Sequence, residues 1–90
     1  MDLEILNEIS LLYVEDDKEV ADALGRSLKR MLKNVYIAYN GKEGVQLYEA
    51  HKDQIDMIVT DIKMPVMDGI EMIKEIRKVN SVIPIMITSA

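Results

Sequence analysis

Glu15, Asp16 and Asp17 form an acidic triplet directly after an apolar run, and Asp61 closes a second apolar run. A third run ends in Thr88-Ser89-Ala90. Brought together, such carboxylates repel: two like charges ~4 Å apart cost about 4 kcal/mol at an effective dielectric of 20. Either a carboxyl pKa rises or a cation compensates. Oxygen-only donors favour a hard divalent ion, Mg²⁺, Mn²⁺ or Ca²⁺, over zinc, and few protein ligands with several waters suit Mg²⁺ best. A carboxylate ionised at neutral pH can also act as a nucleophile without a general base. Each feature alone is ordinary. Acids complement a helix N-terminus, which is the expected job of Asp17 as an N-cap. Asp61 alone would read as the start of a loop. The joint placement of the acids at the ends of apolar runs is what points to function.

That placement demands a particular fold. Residues 10–14 form a compact apolar run expected to be a buried strand. Within residues 17–33, Val20, Leu24, Leu28, Met31 and Leu32 recur at three- and four-residue spacing, which predicts an amphipathic helix. Gly25 inside it costs helix propensity of about 1 kcal/mol, so close packing on a sheet is its expected reason. Residues 35–38 read as a second strand, broken by Asn40-Gly41, and 42–51 as a second helix. Residues 55–60 read as a third strand, 70–79 as a third long helix and 83–88 as a fourth strand. Pro65 and Asp68-Gly69 punctuate the loop after Asp61. Residues 1–9 read as a short helical extension with Leu3, Ile5, Leu6 and Ile9 as packing candidates, and residues 10–90 as the domain. The βαβαβαβ order predicts an α/β fold: an open parallel sheet, helices on both faces and right-handed connections. Ligands of such sheets bind beyond the carboxyl ends of the strands. If the first and third strands are neighbours, the acids meet there.

Composition narrows the chemistry. The chain has 90 residues, enough for one domain. It has no cysteine, which excludes disulfides, thiolate metal sites and a cysteine nucleophile, and its single histidine leaves zinc short of ligands. A net charge of −5 disfavours direct nucleic-acid binding. No apolar run approaches the ~20 residues of a membrane span, and the acidic start lacks the basic region of a signal peptide, so a cytoplasmic location is expected. Met67, Met72 and Met86 read as core filler, and His51 as exposed.

Three motifs then converge. Leu11-Leu12-Tyr13-Val14-Glu15-Asp16-Asp17, Val59-Thr60-Asp61-Ile62-Lys63-Met64-Pro65-Val66-Met67-Asp68-Gly69 and Pro84-Ile85-Met86-Ile87-Thr88-Ser89-Ala90 resemble the receiver domain of two-component response regulators. The resemblance covers nearly everything after residue 9, and the Asp-x-x-Met-Pro-x-Met-Asp-Gly stretch is highly specific. It implies a flavodoxin-like sheet of order 2-1-3-4 and a role for each matching position. Asp61 would be the phosphoacceptor. Asp16 directly, and Glu15 through water, would hold Mg²⁺ with Asp61 and the backbone carbonyl of Lys63. Ser89 would be the hydroxyl that senses the phosphoryl group, preferred over Thr88 because it lies five residues after Pro84 and precedes Ala90. Met64, Pro65, Asp68 and Gly69 would shape the loop over the site. The implied partner is a sensor histidine kinase or a phosphotransfer protein. The exposed cations of the first long helix, Lys18, Arg26, Lys29 and Arg30, would offer a docking face or simply a solvated one.

The family pattern implies a further helix, a fifth strand with a terminal lysine and a last helix, none of which follows within this sequence. The fourth strand is therefore expected to be a bare apolar edge of Ile83, Ile85, Met86 and Ile87, open to pairing with another chain. Two functional classes result. One is a receiver that accepts a phosphoryl group on Asp61 and switches conformation, a phosphoacceptor that by the resemblance catalyses its own phosphoryl transfer and hydrolysis rather than an enzyme acting on a separate substrate. The other is an interaction module that self-associates through the exposed fourth strand as a homo-oligomer. A Mg²⁺-dependent phosphatase with Asp61 as nucleophile is a more distant third, because Ile62-Lys63 supplies no second acid.

Overall fold

Ser10–Val14 forms a strand, β1, that is buried along its whole length, as an apolar run at the centre of a parallel sheet should be. The computed structural model describes residues 3–88. Before β1 comes a short helix, α1 (Leu3–Leu6). After it come α2 (Lys18–Lys29), β2 (Asn34–Ala38), α3 (Gly41–His51), β3 (Met57–Thr60), α4 (Gly69–Arg77) and β4 (Ile85–Ile87). The strands form one sheet in the order β2-β1-β3-β4, all parallel, which is the expected flavodoxin-like arrangement.

Alternate residues of β1 and β3 feed two cores. Leu12, Val14 and Ile58 meet Tyr48 of α3 and Met72 and Ile76 of α4 on one face. Leu11 and Tyr13 meet Ala21 of α2 on the other. Full burial of a Leu or Ile contributes about 1.5–3 kcal/mol, so Leu12 and Ile58, both at 0% exposure, are among the main stabilising side chains. Gly25 sits where expected, over Ile37 of β2, with no room for a Cβ.

Several boundaries differ from the periodicity. The first long helix ends at Lys29 rather than continuing to residue 33: the Arg30 and Met31 amides tighten onto the carbonyls three residues back, Ser27 and Leu28, and the Lys33 amide leaves the helical ladder. Lys33 then donates its amide to Ile9, joining the chain to the start of β1 (2.8 Å). Ile55 is buried but not in a strand; its amide closes the end of α3 on the His51 carbonyl (3.1 Å). Ile83 is likewise buried ahead of β4, in a turn held by Asn80. The Asn80 side chain accepts from the Val82 and Ile83 amides and donates to the Tyr48 hydroxyl.

Three side-chain expectations are corrected. Met86 is not core filler: it is 56% exposed on the outermost strand, whereas Met72 is buried and Met67 packs against the core. His51 is not free in solvent, because its ring stacks on Tyr36 at 4.3 Å. Ile5 of α1 is exposed rather than packed. On the α2 face, Val20, Leu24 and Met31 are part-exposed beside Tyr13 and Val59, leaving an open groove of about 450 Å³.

Candidate functional site

The sheet register fixes the geometry. Val14 of β1 lies opposite both Ala38 of β2 and Thr60 of β3. The next residues, Glu15 and Asp61, therefore leave the sheet side by side. Their backbones still belong to the ladder: the Glu15 amide donates to Ala38 and the Asp61 amide to Val14 (3.0 and 3.1 Å). Glu15, Asp16 and Asp61 each bring a carboxylate oxygen to within 4.8 Å of the others. Asp17 stands apart from this group. Its Oδ1 accepts from the Val20 amide as the N-cap of α2 (3.2 Å).

Local hydrogen bonds orient the acids. Glu15 Oε2 accepts from the Asp17 amide (3.0 Å), and Asp61 Oδ1 accepts from the Ile62 amide (2.7 Å). The buried Thr60 hydroxyl donates to the Asp61 carbonyl (2.8 Å). Gly69 donates its amide to the Ile62 carbonyl (2.7 Å), and a Cβ there would overlap the Asp61 carbonyl oxygen. Gly41, at the start of α3, donates to the Met67 carbonyl (2.8 Å) and pins the far side of the loop. Asp68 is occupied elsewhere: its carboxylate accepts from the Glu71 amide, and the Glu71 carboxylate accepts from the Asp68 amide.

No cationic side chain among the described residues forms an ion pair with the three acids. Among the described residues the only ion pair is Lys78–Glu75, away from the site. Burial pushes the Glu15 carboxyl above its usual range; the Asp17 amide opposes this, while the Asp16 hydrogen bond and the charges of Asp61 and Asp16 add to it. The buried Tyr13 phenol is raised too, first by burial and then by Glu15 and Asp61. A set of oxygen donors, Glu15 and Asp61 half-buried and Asp16 exposed, with no ion-pair partner among the described residues, fits a hard divalent cation. No hydrogen bond among the described residues engages the Lys63 carbonyl, two residues after Asp61.

The Glu15 shift gives a signed expectation. A raised carboxyl binds its proton more tightly in the folded state, so ionising it disfavours folding. Without metal, Glu15→Gln should therefore be more stable than the parent at neutral pH, by less than about 1 kcal/mol given solvent screening. The difference should be absent below the ordinary carboxyl value of 4.5 and open as pH rises through the raised one. Urea unfolding at a series of pH values reads this directly. A difference already complete in acid would trace to packing instead of charge.

The model of one family, the response regulator receiver domain, matches residues 11–90. This chain belongs to that family. Solved structures agree with the assignment. The N-terminal domain of an uncharacterized protein from Wolinella succinogenes is 32% identical with a TM-score of 0.85, over 91% of this chain and 64% of its own. The receiver domain of the histidine kinase CKI1 from Arabidopsis thaliana, complexed with Mg²⁺ and BeF₃⁻, is 31% identical with a TM-score of 0.84, over 98% of this chain and 70% of its own. The CheX–CheY–BeF₃⁻–Mg²⁺ complex from Borrelia burgdorferi matches at 25% identity and a TM-score of 0.86, over 100% of this chain and 68% of its own. This receiver thus spans about two thirds of the length of these solved chains.

Within the receiver, the sequence-derived residues divide clearly. Glu15, Asp16 and Asp61 come together, and Met64 and Met67 anchor the loop on the core. The Thr88 amide and hydroxyl both donate to the Thr60 carbonyl (2.9 and 3.4 Å). Ser89 and Ala90 lie outside the described residues. Thr60 and Gly41 were not singled out as site residues by the sequence reading. The signal for Gly41 was present in Asn40-Gly41, but a chain break says nothing about which loop it will touch. No helix of the described residues is long and apolar enough to cross a membrane.

Proposed function

We propose that this receiver accepts a phosphoryl group on Asp61 in two-component signalling. The observation that carries the reading is the convergence of Glu15, Asp16 and Asp61 at the carboxyl ends of two central strands, with no ion-pair partner among the described residues. In the proposed step a carboxylate oxygen of Asp61 attacks the phosphorus of a phosphohistidine. The new O–P bond gives an acyl phosphate, the P–N bond breaks, and the histidine leaves with its electron pair and takes up a proton. The Ile62 amide holds Oδ1 of Asp61, which leaves Oδ2 for the attack. Glu15, Asp16, Asp61 and the Lys63 carbonyl would hold Mg²⁺, with Mn²⁺ an acceptable substitute. When bound, the ion supplies charge neutralisation between carboxylate and phosphoryl oxygens. Ser89 would sense the phosphoryl group.

The donor is a sensor histidine kinase or a phosphotransfer protein. One relative supports that setting: it is the receiver domain of a histidine kinase. Such a partner places the exchange in the cytoplasm. Incubation with Mg²⁺ and acetyl phosphate, followed by intact mass measurement, tests the reading. One phosphoryl adduct is expected, and its absence in the presence of bound Mg²⁺ would refute transfer.

A second reading rests on β4. Met86 and Ile87 are 56% and 44% exposed on a strand whose outer edge pairs with no other strand among the described residues. An apolar edge with free backbone groups invites pairing, so concentration-dependent self-association is expected. Sedimentation at micromolar concentration measures it, and a clean monomer removes this reading.

A further inference from the structure

The outer surface of α2 is sorted in a way that the acidic site does not use. Val20, Leu24 and Met31 are 40%, 49% and 45% exposed on the flank that borders the open groove beside Tyr13 and Val59. Spacings of four and seven residues put them in one stripe of a helix with about 3.6 residues per turn, with Met31 in its closing turn. A single exposed apolar side chain is ordinary, but a row of them along a whole helix marks a contact surface.

Charge is sorted along the same helix. In its first half, Lys18 and Asp22 are turned to Tyr39, the cation over its ring and the carboxylate accepting from its hydroxyl. Glu19 is left as the charge beside the stripe. From Ala23 to Lys33 every charged residue is a cation: Arg26, Lys29, Arg30 and Lys33. None of these has an ion-pair partner among the described residues. Glu19, Ala23, Arg26 and Arg30 recur at helical spacing next to the apolar stripe. A partner acidic throughout would match only the second half of this surface, and a basic one only the first.

We infer that α2 is a self-docking surface: a second copy of this chain lays its own α2 antiparallel along Val20, Leu24 and Met31, with Glu19 of each copy against Arg30 of the other. The helix is complementary to its own reverse. Turned about its middle, Val20 falls opposite Met31, Leu24 opposite Ser27 and Glu19 opposite Arg30. A two-fold interface repeats every contact, so the Glu19–Arg30 pair forms twice. Ala23 and Ser27, near the axis, are small enough for close approach, and the positive end of each helix dipole meets the negative end of the other. A parallel arrangement would set like charges together. This contact uses a different element from the edge of β4, and neither depends on the other.

Charge reversal tests the pairing by sedimentation velocity of the full chain over a range of concentrations. Glu19→Arg and Arg30→Glu each set like charges opposite one another twice, and each alone should weaken the dimer roughly tenfold. An equimolar mixture of the two variants restores both opposite-charge pairs across the interface and should associate as the parent does. Neither change touches β4. Leu24→Gln removes the apolar centre and should also weaken the dimer, and far-ultraviolet circular dichroism shows whether each variant is folded. A parent that stays monomeric overturns the inference. Unchanged association of both single variants would move the contact elsewhere, to the β4 edge for example, and also overturns it. Loss in both variants without recovery on mixing would overturn the antiparallel pairing. Should the charge variants lose their helical signal, Leu24→Gln decides, and parental association in it sinks the idea.

Discussion

Asp61→Asn should abolish phosphoryl uptake from acetyl phosphate while leaving the fold intact. Asparagine keeps a carbonyl oxygen where Oδ1 now accepts from the Ile62 amide, so the local hydrogen bond survives. What disappears is the nucleophile, because a neutral amide oxygen does not form an acyl phosphate. One negative charge also leaves a cluster in which three carboxylates lie within 4.8 Å. Without metal, the variant should equal the parent in stability or exceed it by a few tenths to about 1 kcal/mol, the range for partly exposed charges. Its Mg²⁺ affinity should fall sharply. Intact mass after phosphodonor treatment and urea unfolding without metal check both halves. An adduct of the same mass on the variant would place the acceptor elsewhere. A clearly less stable variant would mean that the Asp61 charge is structurally bonded.

Gly69→Ala carries the largest expected effect on the fold. A Cβ at Gly69 would overlap the Asp61 carbonyl oxygen, which is main chain and cannot rotate away. The Gly69 amide is bound to the Ile62 carbonyl, so the two segments cannot simply separate. Relief requires moving either the start of α4, whose Met72 and Ile76 are buried in the core, or the end of β3. Overpacking of this kind costs about 1–3 kcal/mol, and a backbone partner puts this case at the upper end. The acidic site should suffer in parallel, because displacing the Asp61 backbone displaces its carboxylate. Urea unfolding and Mg²⁺ titration on the same variant should both show losses. A variant matching the parent in both would contradict the close approach.

Much of this molecule was legible in residue types alone. The run from Ser10 to Val14 announced a buried strand, and its position between β2 and β3 was implied by the family resemblance, not by the alternation of strands and helices. The acids after Val14 and Thr60 could be brought together by the rule for parallel sheets, because a register aligning those two residues leaves the next side chains adjacent. Asp17 was readable as a cap because capping is local. What escaped was set by tertiary contact. Nothing in the spacing around Leu28 shows that the Lys33 amide will leave the helix to bond Ile9. His51 carries no sign of the Tyr36 ring on which it stacks. Met86 looked like core because its neighbours are apolar, yet burial depends on a covering layer that a strand's own sequence cannot specify. Val66 adopts a left-handed backbone, with φ of 70°, against residue preference, so no propensity argument could have found it.

The burial of Tyr13 beneath the acids gives the molecule an optical reporter of its own. The chain contains four tyrosines and no tryptophan, so its near-ultraviolet absorbance is dominated by phenols. Burial does most to hold the Tyr13 phenol in its protonated form, and the charges of Glu15 and Asp61 add to this. Those charges are the ones that a divalent ion or a phosphoryl group would alter. Removing one of those charges, as in Glu15→Gln, should therefore ease the ionisation of that buried ring, a change that an alkaline absorbance titration reads without a label.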